Sequence, residues 1–396
     1  MTGATTAAGA GRAASLRTDE ELMAEAERRT GLRDWGEHDG FRVGLRVLLA
    51  TLDDLDLAPK QRQPLVETWL ARLGDRLRLI DHANHNPAIA QEPIAGPVVV
   101  IGLPRSGTTV LVDLLALDPA ARAPLQWETA LPWPPPSRQG WASDPRVSEA
   151  GDRAAAHARA NPELAALHSS GPTLPDECNA ILGIEFWSPN FWASRPLPRY
   201  ERWLARSRID RPYWTHHRVL QHLQHHGPIG RWTLKSPFHQ FDLPALLAQY
   251  PDAMLIQTHR DPVAITASNA SLICAVRRLP PGHPDRAEVG RSNLALWGEG
   301  LRRGMAARED PTLDARVFDL SNRDLNADPV GSLRSVYDYF GLPFTDEFAA
   351  RIRSWAQHPT QPPSGRTVSL SDVGLDRAMV EEAYAAYRSR FGRYFD

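Results

Sequence analysis

The sequence predicts an α/β fold: a parallel β-sheet flanked by helices, preceded by a helical N-terminal segment and interrupted by an inserted helical cap. Three observations predict it. The run Val98-Val99-Val100-Ile101 is β-branched, meets a Gly-bounded, hydroxyl-rich turn from Gly102 to Gly107, and gives way to apolar residues at Val110, Leu111, Leu114 and Leu115. Further strand patterns at residues 231–235, 253–258 and 316–320 alternate with helical periodicity, which implies parallel pairing through right-handed crossovers. Between the first two strands, Pro134-Pro135-Pro136 forbids helix and carries the chain away from the sheet.

The elements follow in order. Residues 1–17, rich in Ala, Gly and Thr and without a continuous apolar core, read as a flexible tail rather than a signal peptide. Thr18 with Glu21 forms a capping box before Leu22, Ala24 and Ala26, and Gly31 is the stop. Helical spacing recurs at Val43, Leu45, Leu48 and Leu49, then at Leu65, Trp69, Leu73 and Leu77, so residues 18–95 form the helical N-terminal segment. Residues 96–396 form the α/β domain, with the cap at about 130–228. The cap holds Trp141, Trp187, Trp192, Trp203 and Trp214 with Phe186, Phe191 and Tyr213, which serve either as core or as the walls of an acceptor pocket. Its histidines at 216, 217, 222, 225 and 226 read as a solvated helix face, since no H-E-x-x-H carboxylate stands between His222 and His226. Pro262 opens the helix after the third strand, Asp328-Pro329 opens another that stops at Gly341, and a final helix spans about 376–390.

Composition excludes several classes. A net charge of -2 over 396 residues leaves no electrostatic footprint for nucleic acid. Cys178 and Cys274 make neither a disulfide framework nor a zinc cluster, so a cytoplasmic location and no metal are expected. No stretch reaches the roughly 20 apolar residues of a membrane span.

The turn after the first strand has the chemistry of an anion cradle. Its backbone N–H groups and the following helix N-terminus converge on one negative group, and Ser106, Thr108 and Thr109 add hydroxyl donors. Gly102 and Gly107 stand five positions apart, as in the Walker A loop, so the sheet is P-loop-like. Thr108, however, occupies the position of the Walker lysine, and the cation has moved to Arg105. In a parallel sheet functional groups gather at the carboxyl ends of the strands, where Arg105, Lys235 and Arg260 all fall.

Pro-Arg-Ser-Gly-Thr-Thr at 104–109 resembles the phosphosulfate loop of sulfotransferases, and Arg260 with Ser268, eight positions on, resembles their 3′-phosphate site. Further matches are Leu-Lys-Ser-Pro at 234–237, Phe-Gly-Leu-Pro at 340–343 and Ser-Leu-Ser-Asp-Val-Gly-Leu at 369–375. The chain thus resembles the bacterial branch of that superfamily, nearer to the tyrosylprotein sulfotransferases than to the cytosolic phenol and steroid enzymes. The resemblance implies 3′-phosphoadenosine 5′-phosphosulfate (PAPS) as co-substrate without a metal, bound by Arg105, Ser106, Gly107, Thr108, Thr109, Arg260 and Ser268. It implies a small-molecule or glycolipid hydroxyl acceptor, aromatic or lipid-like. Where the cytosolic enzymes carry their catalytic histidine, this chain has Pro237.

Sulfuryl transfer needs an aligned hydroxyl, a base for its proton and cations at the leaving oxygen. Lys235 and Arg105 are the expected cations. Glu128 is the first expectation for the base, because Glu128-Thr129 resembles the Glu-Thr pair of the tyrosylprotein enzymes. His239 is the second, four residues beyond Lys235 and near neutrality when unperturbed; Asp176 and Glu177 in the cap follow. Two rivals remain, a nucleotide-dependent kinase, against which the missing Walker lysine counts, and a silent nucleotide-binding protein.

Overall fold

The structure, a computed structural model, describes residues 15–55, 57–136, 138–208, 211–277, 284–357 and 368–395. Most of the expected tail lies outside the described residues. The chain divides into two compact units, one of residues 1–93, 132–135 and 179–225, the other of residues 94–131, 136–178 and 226–396. The expected cap is therefore shared, 136–178 with the sheet and 179–225 with the N-terminal helices.

The second unit holds the sheet. Its strands are β1 (Val98–Gly102), β2 (Ala121–Arg122), β3 (Arg231–Lys235), β4 (Met254–His259) and β5 (Val317–Ser321). They run parallel in the order β2-β3-β1-β4-β5. Four match the sequence expectation; β2, at two residues, is too short to show a period. β1 is buried throughout, as a central parallel strand must be. Val98 and Val100 pack with Leu111, Leu114 and Leu115 of the helix Thr108–Leu115, and with Leu333 and Val336 of the helix Pro329–Phe340. Register aligns the strand ends: Val100 pairs with Lys235, and Gly102 with Thr258.

Local signals set the helix boundaries. Pro262 starts the helix Pro262–Arg277, Asp328 caps Pro329–Phe340 by accepting from the Gly331 N–H at 2.9 Å, and Gly341 closes it at φ 65°. The expected final helix is two helices, Arg377–Ala383 and Ala385–Phe391, because Tyr384 leaves helical dihedrals (φ -111°, ψ 18°) where its ring is buried.

The first unit is helical. Asp19–Thr30 has the expected capping box at Thr18 and Glu21 and ends on Gly31 at φ 75°. With Phe41–Asp54 and Pro59–His85 it frames a core around Arg76, whose wholly buried guanidinium bonds Glu185 and Thr215 and lies 4.4 Å from the Phe41 ring centroid. Phe186, Trp187, Trp192 and Tyr213 are buried, so these cap aromatics are core of this unit. The solvated histidine face is corrected here. His216 and His222 are buried, His216 edge-on to Tyr213 and His222 against Trp133 and His82. Among the described residues no helix is long and apolar enough to cross a membrane.

Candidate active site

Glycine geometry shapes the loop between β1 and the helix Thr108–Leu115. Gly102 sits at φ 130°, and a Cβ there would stand 2.7 Å from the Thr258 carbonyl oxygen. Gly107, the helix N-cap, sits at φ 96°, where a Cβ would run into the Asn322 amide. Arg105 adopts φ 70° without being glycine, the kind of backbone strain that collects at functional turns.

The Arg105 side chain is fixed by its partners. Its Nε donates to Ser268 Oγ at 3.2 Å and its Nη1 to the Leu167 carbonyl at 3.0 Å, while Arg260 Nη1 donates to the Arg105 carbonyl at 3.3 Å. Arg105, Arg260 and Ser268 therefore do come together, with Arg105 as the link. From β3, Lys235 Nζ reaches Thr109 Oγ1 at 3.3 Å and Glu177 Oε1 at 2.5 Å. Glu177 is held there by the chain itself, because the N–H of Cys178 donates to the Lys235 carbonyl at 2.8 Å. Arg105, Thr109, His168, Glu177, Arg260 and Asn322 share a cavity of about 540 Å³.

The cavity is rich in positive charge. Burial, then the like charge of Arg260, pushes the Arg105 guanidinium below its ordinary range. Burial, then Lys235, also pushes the His168 imidazole down, opposed by Glu177 and assisted by Arg105. An incoming polyanion relieves each of these repulsions.

Three sequence expectations need correction in position. Ser106 is buried, its hydroxyl 2.6 Å from both the Leu103 carbonyl and Thr258 Oγ1, and its N–H bonds the same carbonyl at 3.2 Å. It braces the loop instead of facing the cavity. Glu128 is buried in the helix Gln126–Ala130, where Oε1 accepts from Arg122 Nη2 at 2.6 Å and Trp141 Nε1 at 2.8 Å. Its Oε2 accepts from the Leu125 N–H at 3.0 Å, so the carboxylate is a buried structural knot and is not among the groups that line the cavity. Its neighbour Thr129 donates to the Asp176 carboxylate and so anchors the acidic segment from behind. His239 is wholly buried in the turn Pro237–Phe241, and burial holds it near pKa 3, out of reach of an acceptor.

A buried network steadies Arg260. The preceding His259 bonds Asp319 Oδ1 at 2.8 Å and the Tyr387 hydroxyl at 2.9 Å, and stacks on Phe391 at 4.5 Å. Burial raises the Asp319 carboxyl, but Arg308 and His259 outweigh it and hold it at about 2. Sequence reasoning missed His168 and Asn322. Asn322 follows β5 and obeys the same strand-end rule; His168 ends the helix Pro162–Leu167 in a segment with no periodic signal.

Residues 97–346 match the model of a family described as Sulfotransferase family. Two curated relatives, the omega-hydroxy-beta-dihydromenaquinone-9 sulfotransferases Stf3 of Mycobacterium bovis and Mycobacterium tuberculosis, are each 25% identical over 345 residues, covering 82% of this chain and 82% of theirs. The crystal structure of sulfotransferase STF9 from Mycobacterium avium superposes with a TM-score of 0.85 at 30% identity, covering 95% of this chain and 97% of that one. Sulfotransferase STF1 from Mycobacterium tuberculosis H37Rv gives 0.78 at 32% identity, with 93% and 98% covered.

Proposed function

The chain belongs to the sulfotransferase family, and on that premise we propose that it moves a sulfuryl group from PAPS to a hydroxyl of a small lipid-like, aromatic or glycolipid acceptor. One observation carries the donor assignment: Arg260 contacts Arg105, and Lys235 reaches Thr109, so cations from three strand ends flank a loop whose glycines let its backbone close on an anion. Arg105, Thr108 and Thr109 would hold the 5′-phosphosulfate. Arg260, with Ser268 behind Arg105, would hold the 3′-phosphate.

In the transfer the acceptor oxygen attacks sulfur in line, the bond to the 5′-phosphate oxygen breaks, and its electron pair leaves on adenosine 3′,5′-bisphosphate. Lys235 stabilises the charge on that leaving oxygen, with Glu177 holding the ammonium in place beforehand. A sulfuryl group carries less charge than a terminal phosphoryl, so fixed Lys and Arg serve where phosphoryl transfer uses Mg²⁺. The Stf3 relatives are named for a hydroxylated menaquinone, which puts hydroxylated isoprenoid quinones first among acceptors to try.

The test is incubation with PAPS carrying radioactive sulfur and a panel of hydroxylated quinones, phenols and glycolipids. Label appearing in an acceptor supports the assignment. Bisphosphate binding with no transfer to any acceptor favours the silent binding protein, and phosphate transfer from ATP favours the kinase.

A further inference from the structure

Granted sulfuryl transfer from PAPS, we propose that His168 is the catalytic base that takes the acceptor's hydroxyl proton. His168 lies on the wall of the loop cavity with Arg105, Thr109 and Glu177, and the charges of Lys235 and Arg105 both act on its ring. Its placement is built in. Arg105 Nη1 bonds the carbonyl of Leu167, the residue before it, and its own N–H closes the helix on Leu164 at 3.0 Å. Among the described residues no hydrogen bond engages the ring itself, which leaves a nitrogen lone pair for the acceptor.

The competing groups are already engaged. Glu177 Oε1 is taken up by the Lys235 ammonium at 2.5 Å. Glu128 is tied to Arg122 and Trp141, and His239 is sealed in its turn.

The charges around His168 also couple its basicity to the donor. Lys235 on β3 and Arg105 on the loop oppose an imidazolium, Glu177 favours it, and Arg260 adds positive charge across the cavity. Burial and these cations keep the ring neutral at pH 7, the form a base requires. When the phosphates of the donor neutralise Arg105, Arg260 and Lys235, the imidazolium becomes easier to form. In the balanced step the acceptor O–H bond breaks as O–S forms, the proton goes to a ring nitrogen of His168, and the S–O pair leaves on the bisphosphate.

The experiment compares wild type, His168→Gln, His168→Ala and Glu177→Gln. Bisphosphate affinity of the two His168 variants should stay within about threefold of wild type, while kcat falls by 10²–10⁴. The acid limb of the kcat–pH profile should disappear in His168→Gln, and added imidazole should restore part of the His168→Ala rate. In the intact protein, NMR titration should show the His168 pKa rising when bisphosphate binds. Wild-type kcat and a retained acid limb in His168→Gln, or a His168 pKa that ignores bisphosphate, would overturn the assignment. Absence of sulfuryl transfer by the wild-type chain is read separately and strikes at the donor assignment.

Discussion

Arg105→Gly separates the fold from the function of the donor loop. Arg105 holds a left-handed backbone at φ 70°, which costs an L-residue roughly 1–2 kcal/mol that glycine does not incur. Glycine returns roughly 0.5–1 kcal/mol of that through the entropy of the unfolded chain. The side chain's hydrogen bonds to Ser268 Oγ and the Leu167 carbonyl contribute about 1 kcal/mol each, offset by no longer burying a guanidinium near Arg260. These terms nearly cancel, so the urea midpoint should move by no more than about 1–2 kcal/mol equivalent at unchanged m-value. Donor affinity should not survive. Two charge-assisted bonds to a 5′-phosphate contribute about 1.5–3 kcal/mol each, and losing both weakens adenosine 3′,5′-bisphosphate by more than about a hundredfold. Arg105→Gly that binds bisphosphate within threefold of wild type would refute the placement of the anion. A loss of stability beyond about 3 kcal/mol would show that Arg105 braces the fold.

Three further outcomes follow from the same geometry. Glu128→Gln breaks the buried pair with Arg122, so thermal unfolding should show about 2–4 kcal/mol of lost stability with bisphosphate affinity unchanged; a normally stable variant that binds donor and has lost turnover would restore Glu128 as the base. Lys235→Met should bind bisphosphate within about tenfold of wild type yet lose at least about 10²-fold in kcat, and a chelator should leave wild-type turnover unaltered. In the first unit, burial raises Asp75 to about 6 against Arg72 and Arg78, so the folded state binds its proton more tightly than the unfolded chain. Stability from this group is full below about pH 4 and is lost as pH rises through about 6. Asp75→Asn should therefore be more stable than wild type at pH 7.5, by at most about 3 kcal/mol in urea unfolding, with the gap closing toward pH 4.

Legibility in the sequence tracks how local the cause is. Val98 to Ile101 is readable because a fully buried parallel strand needs an unbroken apolar run, and Gly102 and Gly107 because their positive φ angles exclude side chains. The placement of Arg105, Lys235 and Arg260 on one edge is legible because parallel pairing puts all carboxyl ends there. Ser268 arrived with Arg260 by helix spacing, although its direct partner is Arg105. The burial of Glu128 and His239 is not legible, because chain proximity to Lys235, or likeness to a motif, does not say which way a side chain turns. The direction of Glu128 is set by Arg122 on the two-residue strand β2 and by Trp141 thirteen positions later. His168 and Glu177 belong to a segment positioned by tertiary hydrogen bonds, Gln126 N–H to the Leu174 carbonyl and Asp176 N–H to the Pro124 carbonyl. No window of local sequence carries those contacts. The buried His216 and His222 show the same limit, since a histidine-rich helix face reads as polar until Tyr213 and Trp133 are packed against it.

The donor assignment faces its most direct test in calorimetric titration of the purified protein with adenosine 3′,5′-bisphosphate, adenosine diphosphate and ATP, each with and without Mg²⁺. Arg105 and Arg260 on one cavity wall, with Lys235 bonded to its Thr109 and Glu177, predict tight, metal-independent binding of the bisphosphate and weak binding of the other two. Preference for ATP, or binding only in the presence of Mg²⁺, would contradict it.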